Sequence, residues 1–539
     1  MNTVKSLFGG SIRMHPKSAS GRLTAIAAGV ALAALACPAA RADDADLSAL
    51  KQQLQRLQQE VNDLEAREAK NAAAAAAATP AAPAAAAPAK APSAGNAPVF
   101  YAGPLKVTLG GFVEMMVVNR SKNEAADWAS NYNTAIPYPQ SPNAGLSEFH
   151  LTERQSRFAA LVQGPTDPDV AAEAYLEGDF GGGPRTGNNN ESTSFSPRVR
   201  HFYADYQRKD QGWYLLFGQA WSLMTQNKKG IVPRQELIPL TIDGQYVPGF
   251  TWDRTPQIRL VKNFGEVAAV GLSIENPAAL LAPNSGCGTV GTAGNTLATP
   301  VCNTPGGSGF DANNNFTLDA RPDVILKAAF DPGWGHYEIF GIDRGFRDRV
   351  NGSSNTTKAD SFGGSFLVPL VANRLDFMAS ALTGKGVGRY GSAQLPDMTL
   401  RPDGTLEAMQ GYEFLAGLTF KATPDLTLYA YGGQEHVDKA VFTSVVAGKL
   451  VYSGYGNPTA SNANCLIEGS SGACTANTSS VTQGTIGGWW KFYKGALGNM
   501  QAGAQFTNVR RDIYGGVGGA PSTNINIGLV SLRYYPYQN

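Results

Sequence analysis

Ala172-Glu173-Ala174-Tyr175-Leu176-Glu177-Gly178-Asp179-Phe180 alternates strictly: one row is Ala172, Ala174, Leu176, Gly178 and Phe180, the other Glu173, Tyr175, Glu177 and Asp179. Successive side chains of a β-strand point to opposite faces, so this run has one face for apolar surroundings and one for water. Tyr412, Phe414, Ala416, Leu418 and Phe420 likewise oppose Glu413, Thr419 and Lys421, and Met500, Ala502, Ala504 and Phe506 oppose Asn499, Gln501, Gln505 and Thr507. Breaks between such runs sort by length. Seven are short (163–170, 207–212, 262–266, 331–335, 371–374, 423–425 and 493–495) and eight are long and polar, among them 276–318 and 438–480. Tight turns on one side and long loops on the other mark a sixteen-stranded antiparallel transmembrane barrel, and a soluble sandwich has no reason to sort its loops this way. Sixteen strands enclose a lumen too wide for their own side chains to fill. Two runs, 198–206 and 336–344, mix the rows, as expected of a wall that faces another subunit or of a shifted register.

Outward from the strands, the chain opens on residues 1–42, which read as an export signal. Lys5, Arg13, Lys17 and Arg22 precede an apolar run over 23–36, and Ala40-Arg41-Ala42 supplies a cleavage site. That run is short for a membrane anchor, and Ala34 and Leu35 are a poor approach to a lipidated Cys37. Residues 43–70 carry Leu47, Leu50, Leu54, Leu57, Val61 and Leu64 at the spacing of a heptad seam. A lone helix of that length is marginal in water, so burial in an oligomeric coil is its expected source of stability. Residues 71–100, almost wholly Ala and Pro over most of their length, form a stiff spacer, and 101–539 make the barrel.

Composition removes several classes. Beyond residue 42 the chain holds 39 basic against 43 acidic residues, which argues against a nucleic-acid binder. There is no Gly-x-Ser-x-Gly elbow and no His-Glu-x-x-His pair, and the histidines are scattered, so no enzyme is expected. Asp311, Asn313, Asn315 and Asp319 lack the glycine and terminal glutamate of a calcium loop, and no metal or cofactor is expected. Cys287 with Cys302 and Cys465 with Cys474 fall inside long polar loops, where two stapling disulfides are the natural reading in an exported chain.

Basic residues are unevenly placed. Arg154 and Arg157 fall on the second strand, Arg198 and Arg200 on the fourth and Arg259 on the sixth. The loop at about 221–255 carries Lys228, Lys229, Arg234 and Arg254 against Glu236, Asp243 and Asp253. Folded inward, it narrows the pore and meets the early strands. Guanidiniums there attract carboxylates and bind them through paired hydrogen bonds. The alternative is that they pair with Glu153, Glu173, Glu177 and Asp179 and brace the wall. Two further readings stay open: a sugar-preferring pore with aromatic tracks such as Trp489-Trp490 and Tyr429 to Tyr431, and a barrel that only anchors an adhesin or cell-wall tether.

The coil, the Ala/Pro spacer, Arg154-Gln155-Ser156-Arg157-Phe158, Arg198-Val199-Arg200-His201, Phe217-Gly218-Gln219-Ala220-Trp221-Ser222 and Leu532-Arg533-Tyr534-Tyr535-Pro536 occur in an order that resembles the DcaP-type porins of Gram-negative bacteria. The resemblance implies a homotrimer of sixteen-stranded outer-membrane barrels that contact lipid, with a periplasmic coil, passing small anions such as dicarboxylates. Arg154, Arg157, Arg198 and Arg200 match the family's strands, while the cations of residues 221–254 match by loop position alone. A terminal aromatic residue, usual in barrel proteins, is replaced here by Pro536-Tyr537-Gln538-Asn539.

Overall fold

The computed structural model describes Gln59 and residues 99–165, 167–182, 192, 194–244, 246–282, 318–350 and 352–536. The export signal, the helical seam, the spacer up to residue 98 and the Cys287–Cys302 pair lie outside the described residues.

Sixteen antiparallel strands close on themselves. β1 is Leu105–Arg120, and β2 comes in two pieces, Glu148–Thr152 and Arg157–Gln163. There follow β3 (Val170–Asp179), β4 (Arg198–Arg208), β5 (Trp213–Trp221), β6 (Arg254–Phe264), β7 (Ala268–Glu275) and β8 (Asp323–Phe330). β9 (His336–Val350), β10 (Ser353–Val371), β11 (Leu375–Lys385), β12 (Gln410–Lys421) and β13 (Leu426–Val437) continue the wall. β14 (Thr478–Gly495), β15 (Gly498–Ile513) and β16 (Ser522–Tyr535) complete it. Val113 to Arg120 of β1 pair with Tyr534 to Ile527 of β16, which leaves no open edge there. The start of β1 is covered by Val99–Ala102, which folds back on Leu105 to Thr108. Val99 and Phe100, placed by sequence in the spacer, therefore already belong to the sheet.

Alternation builds the lipid face. Met115, Phe217, Leu272, Ile339, Phe362, Phe414, Ile486 and Phe506 are exposed on the outer row, and Trp213, Trp334 and Trp490 ring the short-turn end. An apolar band with aromatic residues at its border is what a bilayer requires of a barrel. Two of the expected long loops are short. β9 and β10 are joined by residues 351–352 alone, and β15 and β16 by 514–521, because the flanking strands run on, for 15 and 19 residues in the first pair and 16 and 14 in the second. A bilayer needs about 9–11 residues per strand, so the extra length projects as a hairpin.

Both mixed rows have local causes within the chain. In β9 the inward residues Phe340 and Ile342 pack with Leu223, Met224 and Ile231 of the 222–253 loop, which folds down inside the wall. In β4 a bulge sets one residue out of step: Glu177 opposes His201 while Gly178 opposes Val199, so Arg200 and His201 both face the lumen.

The loop is held by a buried ionic knot. Glu338 Oε1 accepts from Asn227 N and Nδ2 (both 3.0 Å) and from Lys327 Nζ (2.7 Å), and Oε2 accepts from Ser365 Oγ (2.7 Å). Lys327 also donates to the Thr225 carbonyl (2.8 Å), and Gly230 N to Asp331 Oδ2 (2.9 Å). From there the loop crosses the lumen. Trp489 Nε1 donates to the Leu240 carbonyl (2.7 Å), Ile242 N to Gln505 Oε1 (2.6 Å) and Gly249 N to Glu435 Oε1 (3.0 Å). Ile242, Val247 and Phe250 join Trp128, Tyr132 and Ile136 of the 121–147 loop and Ala393 and Leu395 of the 386–409 loop in one apolar cluster. Loops thus fill the long-loop half of a lumen that the strands alone leave empty.

Glu338→Gln preserves volume and strips the buried Lys327 of its counter-charge, a loss of about 3–5 kcal/mol. Hydrogen exchange at Asn227 and its neighbours should accelerate by about a hundredfold, corresponding to about 3 kcal/mol. Unchanged protection would assign the loop's seat to other contacts. Gly111 lies at φ +123°, where a Cβ would stand 2.2 Å from the Arg157 carbonyl oxygen. Gly111→Ala should cost about 1–3 kcal/mol and lower the unfolding temperature of the detergent-extracted barrel, and a parental melt would show that the strand relaxes freely.

Candidate functional site

A cavity of about 1060 Å³ occupies the short-turn half of the lumen, from Pro424 and Asp425 at the rim up to Arg157, Arg200, His201 and Trp221. Its inner end is where β2 and β4 bring their arginines to the carboxylates of β3. Asp179 receives both Nε and Nη2 of Arg198 (2.9 and 2.7 Å) and Nη1 of Arg200 (3.0 Å). Arg200 also donates through Nε to Glu177. Arg157 meets Glu177 more loosely, at 3.7 Å, and its Nε finds no acceptor among the described residues. Arg254 lies over the Trp221 ring at 4.4 Å and feels the charges of Arg157, Arg198 and Arg200. Three guanidiniums therefore share two carboxylates, and Arg254 adds a fourth positive charge beside them. Aromatic rings border the group: Tyr175, Tyr203 and Trp221 stand within about 6 Å of His201.

The remaining sequence-predicted cations are placed differently. Arg154 sits in the break between the two pieces of β2 rather than within a strand. It is tied to Asp127 (2.8 Å) and to the carbonyls of Phe180 (3.1 Å) and Gly182 (2.7 Å). Arg234 reaches from the loop to Glu173 (2.7 Å) and the Tyr203 hydroxyl (3.2 Å) on the cavity wall. Lys228 lines the cavity, whereas Lys229 pairs with Glu266 at the short-turn rim. Arg259, assigned by sequence to the pore lining, is covered by the loop. It is 2% exposed and held by Gln257 and the Trp221 carbonyl. Its strand faces the lumen, but the descending loop takes the space in front of it.

Arg533 was not singled out by sequence. It lines the cavity between the Phe112 and Trp489 rings and pairs with Glu114 at 3.0 Å. The signal was available, because Arg533 sits between the outward Leu532 and Tyr534 and so has to face inward. Of the aromatic residues, Trp490 faces outward, while Trp489 and Tyr431 hold the loop through Leu240. Tyr429 donates to Gln505 (2.8 Å). Cys465 and Cys474 are joined in a disulfide within the β13–β14 loop.

No family model matches the sequence, and no curated protein does. Among solved structures, the outer membrane channel DcaP of Acinetobacter baumannii aligns with a TM-score of 0.53 at 17% identity, over 80% of this chain and 97% of that one. OmpT, an outer membrane protein of Vibrio cholerae, aligns at 0.41 and 10% identity over 81% and 100% of the two chains. An anion-selective porin from Comamonas acidovorans aligns at 0.40 and 11%, over 80% and 99%. The first of these likenesses, one of fold, agrees with the strand count and the apolar belt: the chain is a sixteen-stranded membrane β-barrel of the porin type.

Proposed function

We propose that this protein is a trimeric outer-membrane diffusion channel of the DcaP type for small hydrophilic solutes, with a preference for anions such as dicarboxylates. The observation that carries the selectivity is the excess of guanidinium over carboxylate at and behind the inner end of the cavity: Arg157 and Arg200 line it beside Glu177, and Arg198 and Arg254 stand behind them against Asp179. One charge pair near 4 Å is worth about 4 kcal/mol at an effective dielectric of 20, and less where water and salt screen it. A solute carboxylate meets Arg157 at that strength, with Arg254 adding to the positive field from behind the wall, enough to concentrate it and too little to trap it. Cations meet an uncompensated positive field. The trimer rests on the family likeness and on the leucine seam, and the preference for anions over sugars on the charge excess. Transport rather than catalysis is the reading that the porin-type fold supports.

Reversal potential across a planar bilayer under a salt gradient tests this. The parent should favour chloride over potassium, and Arg157→Ala with Arg254→Ala should lower that permeability ratio several-fold. Arg154→Ala should leave it unchanged, because Asp127 and two carbonyls already occupy that side chain. An unaltered ratio in the Arg157/Arg254 variant would make those arginines wall braces. A folded protein that passes no current would end the channel reading.

A further inference from the structure

The outer row of the wall turns polar where the apolar band meets the long-loop end, but not alike on all sides. On β13 to β16 it carries Gln434, Thr482, Asn508 and Asn526, joined in pairs: Gln434 Nε2 donates to Thr482 Oγ1 and Asn508 Nδ2 to Asn526 Oδ1, each at 2.7 Å. Arg510, on the same arc, is answered by Asp512 at 2.8 Å. On β9 to β11 the border is charged. Asp343 opposes Asp360 at the next outward position beyond Gly341 and Phe362, and Lys358, Arg347 and Arg349 follow on the same outward row towards the hairpin tip.

Like charges directly opposite one another are unfavourable, and here two cations relieve the pair. Lys358 Nζ lies 2.8 Å from Asp360 Oδ2 and 4.0 Å from Asp343 Oδ1. Arg321 donates to Asp343 across Gly345, where a Cβ would stand 2.8 Å from its Nε. That quartet is neutral. Beyond it, Arg347 and Arg349 are exposed, and Arg349 donates to Ser354 Oγ at 2.9 Å. Lys385 ends the outward row of β11, exposed and 3.5 Å from Glu407. Cations therefore outnumber carboxylates along this arc, whereas the amides of β13 to β16 carry no charge. Below the arc, Ile339 and Phe362 are exposed on the lipid-facing row.

We propose that the β9–β11 arc is a docking site for a phosphorylated glycolipid of the outer leaflet. Barrels of this kind keep their short turns in the periplasm and their long loops outside, so the arc stands at the height of the outer headgroups. Guanidiniums and ammoniums hold phosphate through charge-assisted hydrogen bonds. Arg347, Arg349 and Lys385 supply the charge, and the hydroxyls of Ser354 and Thr356 belong to the same outward row. Ile339 and Phe362 receive the acyl chains beneath. A lipid that carries phosphate above its chains meets both surfaces at once, and a water-soluble anion has no use for the apolar one. The proposal rests on the outer-membrane reading and is independent of which solutes the cavity prefers.

Native mass spectrometry of the full protein in non-ionic detergent tests it, with diphosphorylated lipid A and its dephosphorylated form as probes. The phosphorylated lipid should bind saturably and about tenfold more tightly or better, and added salt should weaken it. Arg347→Ala with Arg349→Ala and Lys385→Ala should loosen it by about a hundredfold, and Arg510→Ala should leave it unchanged. Equal affinity for the two lipids would overturn the proposal, because acyl chains alone would then account for binding. So would a triple variant that binds as the parent does, including one that loses its oligomer instead, which would give this arc to a neighbouring subunit. Conductance of the triple variant should match the parent's, so failure of the lipid site and failure of the channel reading are read separately. Comparison of the two lipids on the parent alone decides the matter if the variant does not fold.

Discussion

Closure of the wall is the constraint on which everything else in this molecule rests. In hydrocarbon each unpaired backbone N–H or C=O costs several kcal/mol, so a sheet can cross a bilayer only when its first and last strands meet. Here β1 divides its free edge between two partners. Its second half, from Val113, pairs with β16, and its first four residues are covered by Val99–Ala102. The apolar outer row, the polar inner row and the inward-folding loops all follow from that closed cylinder. Only behind a complete wall can Lys327, Arg344 and Glu338, all nearly inaccessible to water, sit at the depth of the bilayer.

Inside the cylinder the governing problem is charge matching. Inward rows present carboxylates and guanidiniums at high density, and water alone does not satisfy them once loops displace it. The 222–253 loop acts as a second wall, bringing Asn227 to Glu338 and Gly230 to Asp331, and crossing to meet Gln505 and Trp489. Most pairs so formed are neutral overall. At β2–β4 and the start of β6 the ledger is left positive, and the cavity ends there.

The barrel was legible because alternation and loop length are both written locally. A row such as Tyr412, Phe414, Ala416, Leu418 has one possible face, and a five-residue break such as 331–335 has one possible end. What the loops do was not legible, because their packing depends on residues far apart in the chain. Arg259 looked like Arg157 by strand position, and only the path of the loop over it tells them apart. Arg154 looked like a strand residue because Gln155-Ser156 carries no breaker, yet β2 opens there to let Gln155 donate to the Ile242 carbonyl and Ser156 meet the Glu114 backbone. Phe340 and Ile342 blurred the parity of β9 for the same reason: their partners lie on the loop.

The bulge in β4 has a consequence for how such a wall can diversify. Val199 before it and Phe202 after it both still face lipid, so Arg200 is in effect an added tooth on the inner side that leaves both flanks in phase. Segment length within a strand is thus a means of tuning separate from side-chain identity. One inserted residue adds a guanidinium to the lumen side while the lipid-facing skin stays as it was.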